Sequence, residues 1–185
     1  MILSARWSLY WHTRGPANNP PGPIQFVYGK FSDHSPASSQ GALRAALVES
    51  IERHRKFGIR TAIIGQVPEL GLDTPSCLVR PALGKGADSC RGFTREQALA
   101  WQEPVDEILL SLDRQFGLDV DVILPSRTMC ASGRYCTLTQ GETLLYRDSQ
   151  HLSTAGAVLR APRDLMPSLL QSLAGLAETK RDNVP

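Results

Sequence analysis

Apolar residues recur along this chain with two periods. Leu43, Leu47, Ile51 and His54 fall at helical spacing, with Arg44, Glu49, Glu52, Arg53 and Arg55 on the other side, which predicts an amphipathic helix over 41–57 stopped by Gly58. The run Thr61-Ala62-Ile63-Ile64-Gly65-Gln66-Val67, ended by Pro68, has the length and branched content of a buried strand. Thr94-Arg95-Glu96-Gln97 has the form of a capping box. It opens a helix carrying Leu99, Val105, Ile108, Leu109, Leu112 and Phe116, which Pro104 is expected to kink or split. Asp119-Val120-Asp121-Val122-Ile123-Leu124 supplies another strand, ended by Pro125. Upstream, Met1, Ile2 and Leu3 begin a short apolar run over 1–6 that reads as a buried strand. Downstream, a hairpin-like stretch covers 135–146 and an apolar helix is expected over 165–176.

Strands alternating with helices predict right-handed parallel units, and hence a three-layer α/β/α sandwich on a mainly parallel sheet. The long irregular segments, 7–40, 68–93 and 125–151, all follow strands. The first of these is rich in Gly, Pro, Asn and Ser around one possible short hairpin at 24–28. In such sheets the loops at the carboxyl ends of the strands build the site, so these segments are expected to gather on one face.

With 185 residues, 42% of them hydrophobic, the chain is long enough for one good core, and 1–185 reads as a single domain. The net charge of +2 comes from 20 basic and 18 acidic residues without a block of either sign, a pattern that points to neither nucleic acid nor a membrane surface. No apolar run approaches a membrane span, and Arg6 and Trp7 interrupt the apolar start too early for a signal peptide. Cys77, Cys90, Cys130 and Cys136 lie in loop-like segments without a C-x-x-C spacing, so no metal site is expected. Two disulfides in an oxidising compartment fit this count, Cys130 to Cys136 and Cys77 to Cys90 being the shortest closures of three connectivities; four free thiols are the alternative.

Candidate chemistry concentrates in Tyr146-Arg147-Asp148-Ser149-Gln150-His151-Leu152-Ser153-Thr154-Ala155-Gly156-Ala157. An acidic residue three places before a histidine, on a turn between a strand and a helix, can orient the imidazole and stabilise its protonated form. Here the pair is Asp148 and His151, with Ser153 or Thr154 as N-cap and small residues that let the helix pack closely. Taken alone, such a pair is more often a solvated turn. His54 is assigned to a helix C-terminus, where a cation suits the dipole, and Gly84-Lys85-Gly86 lacks the spacing and the Ser or Thr of a phosphate loop.

The block at 144–157 resembles the last sequence block of the SGNH hydrolase superfamily. It is closest to the SGNH domain of OafA/YrhL-type membrane O-acyltransferases (acyltransferase family three), where a short strand and an acidic turn precede His-Leu-Ser and a small-residue helix. Leu144-Leu145-Tyr146, Asp148 and His151-Leu152-Ser153 carry that likeness. Ile2-Leu3-Ser4-Ala5-Arg6-Trp7, with Tyr10 after it, resembles the family's second core strand, which commonly ends in Ala-Arg-Trp.

This resemblance implies a flavodoxin-like parallel sheet read here from its second strand, with the first strand and its Gly-Asp-Ser nucleophile block absent. The absent strand is expected between 1–6 and 61–67, leaving unpaired backbone and an exposed apolar gap. Gly86-Ala87-Asp88-Ser89 looks superficially like the nucleophile block but follows no buried strand, so Ser89 is not taken as the nucleophile. A Gly-x-Asn-Asp block is also missing; Arg6 is the candidate donor to an acyl oxygen or sugar and Trp7 the candidate ring-stacking residue, against a structural ion pair and a core position. His151 and Asp148 become base and orienter of a Ser-His-Asp mechanism. No cofactor or metal is required. The implied activity is acyl transfer, usually of acetyl, from a membrane acyltransferase module to a hydroxyl of a cell-envelope glycan such as lipopolysaccharide O-antigen, peptidoglycan or exopolysaccharide. That places the domain on the periplasmic face of the inner membrane as part of a longer protein. Two alternatives stay open: an SGNH carbohydrate esterase, and a truncated non-catalytic fold that binds a glycan or a partner.

Overall fold

The three core strands form one parallel sheet in the order β1-β2-β3: Ile2–Ser4 (β1), Thr61–Ile64 (β2) and Val120–Ile123 (β3). The structure, a computed structural model, describes residues 1–12, 27–31, 35–71, 92–164, 166, 167 and 170. Trp7–His12 (α1) and Pro36–Lys56 (α2) connect β1 to β2, and Arg95–Phe116 (α3) lies between β2 and β3. Pro125–Met129 (α4) follows β3, a short antiparallel hairpin joins Thr139–Gln140 (β4) to Thr143–Leu144 (β5), and Thr154–Asp164 is α5.

Both long helices have identifiable starts. The Ser35 hydroxyl accepts the Ser38 N–H at 3.0 Å and Pro36 occupies the first turn, so α2 begins five residues before the expected position 41. Small polar residues at 36–40 resemble a loop, yet Ser38 and Ser39 are buried against α1, where the Ser39 hydroxyl donates to the Tyr10 carbonyl. The capping box at Thr94 and Gln97 forms as expected, and Pro104 sits inside the helix without splitting it. Gly58, in the left-handed region at φ +66°, turns the chain from α2 toward β2.

Leu3, Ile63 and Val122 share one rung and one face of the sheet. That face meets Leu43, Leu47 and Ile51 of α2 and Val105, Leu109 and Leu112 of α3, in one core that also holds Trp7. A strand order of 1-2-3 without reversal puts both crossovers on the same side when their handedness is uniform. The other face is less covered among the described residues: Ile2 and Ser4 are exposed, Ala62, Ile64 and Asp121 half-buried, and Ile123 buried. Among the described residues α5 stands over it, across a cavity at the carboxyl ends of the strands. The result is an α/β fold with helices on both faces of a parallel sheet, of the SGNH-like α/β/α kind.

One expectation about this sheet is overturned. No gap separates 1–6 from 61–67, because β1 pairs directly with β2, Ile2 against Ala62 and Ser4 against Ile64. Direct pairing satisfies the facing backbone groups, which an open gap would have left without partners. Strand 61–67 is also shorter than its apolar run: regular pairing ends at Ile64, and the Gly65 N–H adds one bond to the Ile123 carbonyl at 2.8 Å. Segment 7–40 is less irregular than expected, since α1 and the start of α2 fall in it. Of the hairpin at 24–28 and the helix at 165–176, the greater part lies outside the described residues, although Tyr28 and Phe31 form an antiparallel bridge.

Candidate active site

A bridge between Tyr146 and Leu152 closes the turn that carries Asp148 and His151, and the Arg147 N–H donates to the His151 carbonyl at 2.8 Å. Within the turn the Asp148 carboxylate is the organising acceptor. Its Oδ1 takes the Gln150 N–H at 2.9 Å and the His151 N–H at 2.8 Å, and its Oδ2 lies 2.8 Å from His151 Nδ1. Burial pushes the Asp148 carboxyl up, but these hydrogen bonds outweigh it and hold the group below the usual range. A carboxylate can only accept, so Nδ1 carries the hydrogen and a neutral ring keeps its lone pair on Nε2. That nitrogen makes no hydrogen bond among the described residues, and the His151 side chain is 52% exposed.

The turn rests on a small core of its own. Leu145 and Tyr146 are fully buried with Leu70 and Met129, and Leu152 and Leu159 pack against them. The Ser153 hydroxyl accepts the Gly156 N–H at 2.9 Å and donates to the Leu144 carbonyl at 2.9 Å, so Ser153 rather than Thr154 caps α5. Of the three small residues at 155–157 only Gly156 is buried, and it sits against the Leu145 backbone.

His151 lies on the rim of a cavity of about 480 Å³ that reaches the ends of β1 and β2 and the start of α4. Its wall is mostly apolar, from residues such as Ala5, Ile64, Val67 and Leu152, with Arg6 and Arg160 as cationic members. Residues at the carboxyl ends of all three strands thus line one cavity, the face on which such sheets build a site.

Arg6 and Trp7 part company here. Trp7 begins α1, is only 5% exposed inside the main core, and donates its indole N–H to the Ile64 carbonyl at 2.8 Å. Both ring faces are therefore packed, and the expectation that Trp7 stacks on a sugar is corrected: a helix starting at this residue turns the ring inward. Arg6 lines the cavity and forms a bidentate pair with Glu69, Nε to Oε1 at 2.9 Å and Nη2 to Oε2 at 2.8 Å. Glu69 was not picked out by sequence reasoning; its one signal is a charge placed immediately after a buried strand and Pro68, on the face where sites form.

Ser89, Lys85, Cys77 and Cys90 lie outside the described residues. Among those described, no serine hydroxyl touches the His151 ring, and no group of His, Cys, Asp or Glu is placed to hold a metal ion. His54 ends α2 with Nδ1 3.0 Å from the Thr61 hydroxyl, away from the cavity. Cys130 and Cys136 are joined in a disulfide beside Ala98 of α3. No helix of the described residues is long and apolar enough to cross a membrane.

A parallel α/β sheet with an acid-oriented imidazole at its carboxyl edge defines an SGNH hydrolase-like domain. The model of the family "SGNH domain (fused to AT3 domains)" matches residues 1–163, and the chain belongs to that family of acyltransferase-associated domains. In that family the SGNH domain is fused to AT3 domains, which points to an acyltransferase module as its partner. No curated protein and no solved structure matches the chain.

Proposed function

We infer that this chain supplies the general base of an O-acyltransferase that moves an acyl group, usually acetyl, from an AT3 membrane module to a hydroxyl of a cell-envelope glycan. One observation carries the reading: His151 is held by Asp148 through Nδ1, with Nε2 open at the rim of a largely apolar cavity. In this mechanism Nε2 takes the proton of a serine hydroxyl as its oxygen attacks the acyl carbonyl, then returns that proton to the departing donor. The sugar hydroxyl next attacks the acyl-serine, giving its proton to Nε2, which passes it to the released serine. Asp148 stabilises the imidazolium in both halves, and Arg6 donates to the acyl oxygen. The Cys130–Cys136 disulfide suits the periplasmic face of the inner membrane as the place of action.

The test is acetyl transfer to a glycan acceptor by the purified chain, by the chain joined to an AT3 membrane module, and by each with His151→Ala. Transfer that needs both the module and His151 supports the reading. Release of acetate to water alone would make the domain a carbohydrate esterase. A folded chain without His151-dependent turnover in either form would leave a glycan- or partner-binding domain. Turnover lost with Ser89→Ala would assign the nucleophile to this chain.

A further inference from the structure

Resting on that acyl-transfer reading, we propose that Glu69 is a positioning residue: it fixes the Arg6 guanidinium so that Nη1 meets the oxygen of a carboxylate or acyl carbonyl held beside His151. A guanidinium offers five donors in a rigid plane, and a bidentate carboxylate sets both the plane and its direction. Glu69 takes Nε and Nη2. Nη1 makes no hydrogen bond among the described residues, although Arg6 borders the same cavity as His151.

The carboxylate is itself held. Glu69 is 1% exposed, and besides the two arginine bonds its Oε1 accepts the Ser8 hydroxyl at 2.6 Å and the Gln66 amide at 3.1 Å. Burial raises its pKa, yet the bonds from Arg6, Ser8 and Gln66 outweigh burial and keep it ionised. Gln66 in turn accepts the Ser8 N–H at 2.7 Å, and the Gln102 amide donates to the Val67 carbonyl at 3.0 Å. The same segment carries the His151 turn, because the Leu70 N–H donates to the Ser149 carbonyl at 2.9 Å and the Tyr146 hydroxyl to the Pro68 carbonyl at 3.1 Å. Arg6 and His151, 145 positions apart in sequence, therefore hang from one frame. A buried ion pair adds little stability over apolar packing. Four donors converging on one buried carboxylate, paired with an arginine that lines the cavity and whose Nη1 is unbonded among the described residues, fit a group placed for a ligand.

Acetate is the probe, titrated into the isotope-labelled full chain while the Arg6 side-chain and His151 ring resonances are followed by NMR. Saturable shifts of both are expected. Arg6→Lys and Glu69→Gln should weaken acetate on the order of tenfold, about the loss of one charge-assisted hydrogen bond, and Ser8→Ala by roughly threefold. In these variants without acetate, the Nδ1 proton bonded to Asp148 should stay where it is in the parent. Ser8→Ala keeps both Arg6–Glu69 bonds and carries the test if Glu69→Gln does not fold. Variants that melt lower but bind acetate as the parent does would make Glu69 merely structural and overturn the proposal. So would a parent Arg6 that does not respond to acetate. Acetate binding that depends on Glu69, without His151-dependent transfer, upholds the positioning role and removes the acyl-transfer reading. Transfer that needs His151 but is untouched by Glu69→Gln does the reverse.

Discussion

Gly156 lies against the backbone of Leu145, so close that a Cβ at this position would overlap the Leu145 carbonyl oxygen. The contact sets how near α5 comes to the strand that leads into the His151 turn, while the Ser153 cap fixes its first turn. Gly156→Ala is expected to cost about 1–3 kcal/mol, the usual range for overpacking where backbone cannot yield. Ala157→Ser, on the exposed side of the same turn, should cost under about 0.5 kcal/mol. Urea denaturation of both variants checks this, and equal stabilities would show that α5 shifts freely.

Asp148 should define an acid limit for the turn. Its folded pKa lies below its ordinary value of about 3.9, so the stabilisation it provides is complete above that pH and is lost as the pH falls through the depressed value. Protection of the Gln150 and His151 amides, relative to their intrinsic exchange at each pH, is therefore expected to hold down to about pH 4 and to fall below it. Asp148→Asn should remove the transition. Unchanged protection down to about pH 2 would contradict the hydrogen bonds that Asp148 Oδ1 accepts.

Asp106 on α3 behaves in the opposite sense. Burial is the main cause that raises its carboxyl to about 6, offset in part by the Ser126 hydroxyl and Arg127 and reinforced by Glu107. A raised carboxyl favours the folded state below its unfolded value and loses that contribution as the pH rises through the folded one. Stability should thus decline between about pH 4 and 6 on this account. Asp106→Asn, whose amide oxygen can still accept from Ser126, is expected to gain about 2 kcal/mol at pH 7 and nothing at pH 4. Denaturant melts at the two pH values decide it, and an equal change at both would assign the effect to packing.

The disulfide closes a loop of sequence separation 6 between α4 and the hairpin. Loop-closure entropy for so short a ring gives about 2 kcal/mol. Replacing both cysteines by serine should lower stability by about that amount in oxidised samples and leave no further effect of reductant on this loop. Peptide mapping without reductant checks the linkage itself.

What the sequence by itself determined is local. Asp148 and His151 are three residues apart, so a single turn brings carboxylate and ring together with few torsions to settle. The Thr94 capping box and the Cys130–Cys136 ring share that property, and the alternation of apolar runs with amphipathic helices was enough for a parallel sheet with its site at the carboxyl ends. Only the tertiary structure decided the rest. Whether Trp7 faces a ligand or the core depends on α1 folding inward and on the Ile64 carbonyl, 57 positions away. The partner of Arg6 lies 63 positions along the chain, where a lone Glu69 after a strand looks like any surface charge. Direct pairing of β1 with β2, and a Gly156 pressed on Leu145, likewise follow from how distant elements pack. Periodicity reports which face a residue shares with its neighbours, but a contact across many tens of residues is chosen by the packing free energy of the whole, which no short stretch of sequence contains.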